Sequence, residues 1–146
     1  NLKISDIKFD NLEFPNNLKV SFNDQTRILW MGPDNWLITS DQKNIKNLFK
    51  NFNEKDFAIT DLSHSRSIIE LEGNLITDVI KKGCPLNLNE IKINDCSNSI
   101  YNGINLTLDF LSNEPKRIRV FTLRSFGASL YHSITDASLE FGYKSI

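Results

Sequence analysis

Ile104-Asn105-Leu106-Thr107-Leu108-Asp109-Phe110 alternates apolar and polar side chains without a break. A period of two places Ile104, Leu106, Leu108 and Phe110 on one side of an extended segment and Asn105, Thr107 and Asp109 on the other, the pattern of a strand covered on one face only. Sheets of that kind are mostly antiparallel. Beyond a turn at Ser112-Asn113-Glu114-Pro115 the scheme resumes in Arg117-Ile118-Arg119-Val120, while Phe121 and Leu123 leave it and predict a bulge or burial of both faces.

Working outward, Ser67 to Glu72 puts Ile69 and Leu71 inward and Glu70 and Glu72 outward, and pairs in this reading with Phe57 to Leu62 across Ser63-His64-Ser65. Residues 27–31 and 35–40 flank Gly32-Pro33-Asp34-Asn35, where Pro fixes φ and Asp or Asn closes a hairpin. Three segments switch to the helical period. After Asp41 as N-cap, Ile45, Leu48, Phe49 and Phe52 form one stripe. Residues 74–82 carry Leu75, Ile76, Val79 and Ile80, with Asn74 as cap and Gly83 as a left-handed stop. From Ser125 as cap to Gly142 as stop, Phe126, Leu130, Ile134, Ala137 and Phe141 recur at spacings that suit packing on a flat partner. Helices separated by strand pairs predict an α+β fold, a mainly antiparallel sheet with about three helices packed on one face. With no repeat or linker, residues 1–146 read as a single domain, with 1–17 as an irregular N-terminal arm.

Composition narrows the functions. In 146 residues, 17 basic side chains stand against 18 acidic ones, and the pI is near 6.1. A nucleic-acid binder would show a basic face and a pI above about 9, so nucleic acid is not an expected partner. No apolar run approaches the roughly 18 residues of a membrane span, and no charged-then-apolar leader opens the chain, so a cytoplasmic protein is expected. Cys84 and Cys96 make no metal spacing with each other or with His64 and His132, and read as two free buried thiols.

No Gly-rich phosphate loop, nucleophile elbow or paired carboxylates at metal-ligand spacing occurs, so no catalytic, cofactor-binding or metal residue is assigned. His64 reads as an exposed turn residue or a general base, Asp61 as a turn cap or a ligand for an amine. Arg117 and Arg119 read as a solvated strand face. Trp36, beside a rigid turn, reads as a partner anchor, and Arg66 and Arg124 as ion-pair donors at its rim; these three are the candidate partner interface. A docked subunit is expected to expose an apolar patch, which the aromatics Trp30, Trp36, Phe121 and Tyr131 would supply.

Three stretches carry a family resemblance. They are Ile28-Leu29-Trp30-Met31-Gly32-Pro33-Asp34-Asn35-Trp36-Leu37-Ile38, then Ile59-Thr60-Asp61-Leu62-Ser63-His64-Ser65-Arg66 with Lys82-Gly83-Cys84-Pro85-Leu86-Asn87-Leu88, and Leu123-Arg124-Ser125-Phe126-Gly127-Ala128-Ser129-Leu130. In that order they resemble the gamma subunit of heterotetrameric sarcosine oxidase, with Asn35 in place of a usual Glu and Asn87 in place of an Asp. That family is similar in turn to the folate-binding aminomethyltransferase domain, in which Asp-Leu-Ser also precedes a strand and a helix. The resemblance implies a fold of that kind and a noncatalytic subunit of a sarcosine oxidase complex, which demethylates sarcosine to glycine and passes the one-carbon unit to tetrahydrofolate. It implies the alpha subunit as chief partner, with beta and delta. FAD, FMN, NAD and tetrahydrofolate would then be held by those partners rather than by this chain. The Asp61-Leu62-Ser63 likeness also supports a different reading, a stand-alone folate-binding protein or small one-carbon transferase.

Overall fold

The computed structural model describes residues 7–51 and 57–146. These fall into two compact units, one ending at Asp61 and one beginning at Leu62.

In the first unit, β1 (Lys8–Phe9) and β2 (Leu12–Glu13) form an antiparallel pair where an irregular arm was expected. Their turn residues, Asp10 and Asn11, both take positive φ, which Asp and Asn tolerate and a two-residue hairpin turn requires. β3 (Val20–Phe22), β4 (Arg27–Gly32) and β5 (Asn35–Thr39) make a three-stranded antiparallel sheet in that order. The expected hairpin is therefore present, with Asp34 in the left-handed region at its turn. α1 (Gln42–Asn51) starts where expected, because the Asn44 amide donates to Asp41 Oδ1 at 2.7 Å. Its Leu48 joins Phe9 and Ile28 in a small core, Ile45 is half-buried and Phe49 is exposed. Phe52, the last of the predicted stripe, lies outside the described residues.

The second unit contains β6 (Arg66–Glu72), α2 (Ile76–Lys81), β7 (Cys96–Tyr101), β8 (Ile104–Asn113), β9 (Lys116–Leu123), a 3₁₀ turn (Arg124–Phe126) and α3 (Gly127–Ser138). Its sheet is antiparallel throughout, in the order β6-β9-β8-β7. Leu106, Leu108, Ile118 and Val120 share one face with Ile69 and Leu71, and on that face they meet Val79, Ile80, Leu130 and Ile134 of α2 and α3. The class is α+β, as expected, with α2 and α3 on this sheet and α1 in the first unit.

Several local readings are corrected. Phe57 to Leu62 is not a strand; β6 pairs with β9, where Glu70 and Glu72 find Arg119 and Arg117 directly opposite. Long-range apolar and charge matching outweighs the nearby turn signal. β8 is not covered on one side only, since Thr107 is buried and Asp109 is 0% exposed on the face away from the helices. Phe121 keeps the alternation and is buried on that second face, and the register shift lies between Phe110 and Ser112. Asn74 does not cap α2, which starts after Leu75 without a side-chain cap, and Ser125 falls in the 3₁₀ turn that leads to α3. Gly142 does take a left-handed φ beyond α3.

Gly83 has no left-handed φ. It is small for another reason: an added Cβ would stand 2.9 Å from the Tyr101 ring and 2.8 Å from Asn102 Oδ1. Tyr101 is fully buried there, and its hydroxyl donates to the Val79 carbonyl at 3.2 Å, tying β7 to α2. Cys84, one of two free buried cysteines, donates to Ser99 Oγ at 3.4 Å beside it. In an open site Gly→Ala stabilises by about 0.4–1 kcal/mol through the unfolded chain, but overpacking costs about 1–3 kcal/mol. Gly83→Ala should therefore destabilise the protein in urea unfolding, and a neutral or stabilising result would contradict the close approach to Tyr101.

Candidate functional site

The face of the four-stranded sheet away from α2 and α3 carries a ladder of charge. Arg117 donates to Glu70 Oε1 from both Nε, at 3.0 Å, and Nη2, and its Nε also pairs with Glu72 at 3.4 Å. Arg119 donates to the other Glu70 oxygen from Nη2 at 3.0 Å and Nε at 3.2 Å. Arg117 and Arg119, expected to be merely solvated, are thus engaged by carboxylates across the strands. Burial alone would raise the Glu70 carboxyl, but the hydrogen bonds and charges of the two guanidinium groups outweigh it and hold the group below the ordinary 4.5. A carboxylate held ionised by two arginines has no proton to donate near neutral pH, so the ladder reads as structural.

Of the candidate interface residues, Arg66 and Arg124 come to one end of this sheet. Arg66 faces Leu123 across the β6–β9 ladder, and the Arg124 amide donates to the Ser65 carbonyl at 2.9 Å. The Arg66 Nε is buried and has no hydrogen-bond partner among the described residues. Arg124 is exposed and donates to the His64 carbonyl at 3.4 Å. His64 is an exposed turn residue. Trp36 belongs to the first unit, where it is register partner to Trp30, donates from its indole N–H to the Pro15 carbonyl at 2.7 Å and meets the Phe14 ring edge-on at 5.2 Å. Both tryptophans are half-buried.

The exposed apolar surface only partly matches the expected one. Phe121 is only 2% exposed, and of the four aromatics named for the patch Tyr131 alone is exposed. Exposed instead are Ile68 on β6, Leu75 before α2, and Phe141 and Tyr143 beyond α3. They gather around an open cleft of about 690 Å3 between the β6 edge, α3 and the C-terminal residues. The end of α3 is held by Lys82, whose Nζ donates to the Ala137 carbonyl at 2.6 Å, pairs with Glu140 and sits 4.6 Å from the Phe141 ring centre. Tyr131 donates to Ser145 Oγ at 3.2 Å, fixing the far wall. The sequence did contain a signal for an exposed apolar position at this edge. Ile68 has the phase of Glu70 and Glu72 rather than that of Ile69 and Leu71, so an apolar side chain stands where a solvated one was due. Among the described residues no group of three or more His, Cys, Asp or Glu is placed to hold a metal ion, and no helix is long and apolar enough to cross a membrane. What the cleft offers is apolar surface beside open backbone, which is suited to binding.

This second unit is a four-stranded antiparallel sheet with two helices on one face and an exposed apolar cleft at its edge. Over 92% of its length the chain superposes on 71% of a chain of the heterotetrameric sarcosine oxidase from Corynebacterium sp. U-96, solved with pyrrole 2-carboxylate, with a TM-score of 0.83 and 25% identity. It is also 28% identical over 120 residues to the sarcosine oxidase subunit gamma of Corynebacterium sp. (strain U-96), covering 80% of this chain and 58% of that relative. The chain thus spans a little over half the length of the curated relative it matches. No family model matches. The resemblance read from the sequence stands: the chain resembles the gamma subunit of heterotetrameric sarcosine oxidase, in fold as in sequence.

The Glu70 ladder has a pH signature. A carboxyl whose folded pKa is depressed contributes stability above its unfolded pKa, about 4.3, and loses that contribution as pH falls through the folded value. Glu70→Gln should cost up to about 1 kcal/mol at pH 7, and the gap to wild type should narrow as pH falls below the unfolded value and through the lower folded one. Urea unfolding at several pH values measures this, and a gap independent of pH would contradict it.

Proposed function

We propose that this chain is a noncatalytic gamma-type subunit of a sarcosine oxidase complex. The observation that carries the reading is the agreement of fold and sequence with one complex, from two separate comparisons. The exposed apolar cleft supports it, since a surface of that kind marks a site of association in a protein of this size. The complex so formed would oxidatively demethylate sarcosine to glycine and transfer the one-carbon unit to tetrahydrofolate. In this reading the alpha subunit is the principal partner, beta and delta complete a heterotetramer, and FAD, FMN, NAD and tetrahydrofolate are held by those partners. The assembly works in the cytoplasm, and residues 1–146 act as one gamma-like module within it, with Arg66 and Arg124 as rim contacts and Trp36 tying its hairpin to the Pro15 carbonyl.

Coexpression with sarcosine oxidase alpha, beta and delta subunits tests the proposal. The chain should copurify with flavin-containing partners in a fixed ratio, and elution of this chain alone would overturn it. The alternative, a stand-alone folate-binding protein, requires tetrahydrofolate to raise the melting temperature of the isolated chain by mass action. The subunit reading predicts no shift at millimolar ligand.

A further inference from the structure

Resting on that subunit reading, we propose that β6 receives an extended segment of a partner subunit as a fifth strand. That segment would carry apolar side chains toward the cleft and a carboxylate toward Arg66. Hydrogen bonds at both ends of β6 fix which of its backbone groups face β9. The Gly73 amide donates to the Lys116 carbonyl at 2.9 Å, and the Arg124 amide to the Ser65 carbonyl at 2.9 Å. In an antiparallel ladder the bonded pairs alternate, so Ser67, Ile69 and Leu71 turn their amides and carbonyls toward β9 while those of Arg66, Ile68, Glu70 and Glu72 point outward. β6 is an edge strand, and no neighbouring strand pairs with that outward row among the described residues.

An open edge of seven residues is a liability that proteins usually blunt with charge, Pro or a bulge. Here Glu70 and Glu72 of the outward row are engaged by Arg117 and Arg119, and neither Pro nor a bulge interrupts the strand. β6 pairs with β9 without a register shift, contains no Pro, and places Ile68, 56% exposed, in the middle of the open row. The apolar cleft runs along this same edge. Strand addition uses both features at once, because backbone groups supply the bonds and alternate side chains enter a neighbouring pocket.

Charge defines the occupant further. Glu70 and Glu72 already pair with Arg117 and Arg119, whereas among the described residues the Arg66 Nε is buried without a partner and Arg124 beside it donates to the His64 carbonyl. A buried guanidinium donor left unsatisfied is costly, and a carboxylate is the group whose geometry it fits. An acidic residue of the partner segment at the Arg66 end satisfies it.

The test is residue-resolved hydrogen exchange on the free chain and on the copurified complex. In the free chain the amides of Ile68, Glu70 and Glu72 should exchange rapidly while Ser67, Ile69 and Leu71 are protected. In the complex the outward three should slow by at least about tenfold, giving an alternation that docking through side chains alone would not produce. Ile68→Pro removes an outward donor without touching a β9 bond, and Arg66→Glu reverses the charge; each should cut recovery of the complex by about tenfold or more. A complex that forms with unchanged exchange at residues 68, 70 and 72 overturns the docking mode and leaves the subunit reading standing. Failure of any complex to form overturns both. A free chain that is already dimeric, with those amides protected, assigns the edge to a second copy and also overturns the proposal.

Discussion

Strand β9 has to be paired on both sides, and the rest of the second unit follows from that. Ile118 and Val120 are fully buried on its helix side, each contributing about 1.5–3 kcal/mol relative to exposure, and they reach that state only with β8 and β6 alongside and α2 and α3 above. β8 arrives through a short turn and is local, whereas β6 comes from more than forty residues earlier in the chain. Once β6 is drawn to β9, its other side becomes the edge of the sheet. The open edge is thus a consequence of how the core closes.

The same pairing organises the charges. Placing Glu70 between Arg117 and Arg119 offsets the charge of the two guanidinium groups on this sheet face and holds the carboxylate ionised. Arg66 lies at the end of the row, where no acidic residue stands opposite: its cross-strand neighbour is Leu123. An even pattern over most of the face with the Arg66 donor left unpaired among the described residues at one end is an arrangement suited to orienting a partner, and it fits a protein that resembles a part of a larger oxidase assembly.

Much of this was legible in the sequence because period and turn chemistry act over short range. The 27–39 hairpin, the Asp41 cap, the Leu130 and Ile134 stripe and the Gly142 stop could all be read from neighbouring residues. The β6–β9 pairing was not, because its matching rows lie about fifty residues apart and the Ser63-His64-Ser65 turn proposed a nearer partner. Gly83 misled for a related reason, since its smallness answers to the Tyr101 ring, a contact across the fold rather than along the chain. Burial of Thr107 and Asp109 likewise left no trace in an alternation that looks solvated. Of the candidate site, the arginines were found through their motifs, while the cleft and the open edge required the strand order.

The central claim is that the protein engages its partner along β6 rather than through the Trp36 hairpin. A photoreactive amino acid placed at position 68, or separately at position 36, in the coexpressed complex separates these surfaces directly. Irradiation should join position 68 to one short continuous segment of a partner subunit, mapped by mass spectrometry, with position 36 giving little or no crosslink. Crosslinking to a partner from position 36 and none from position 68 would contradict it.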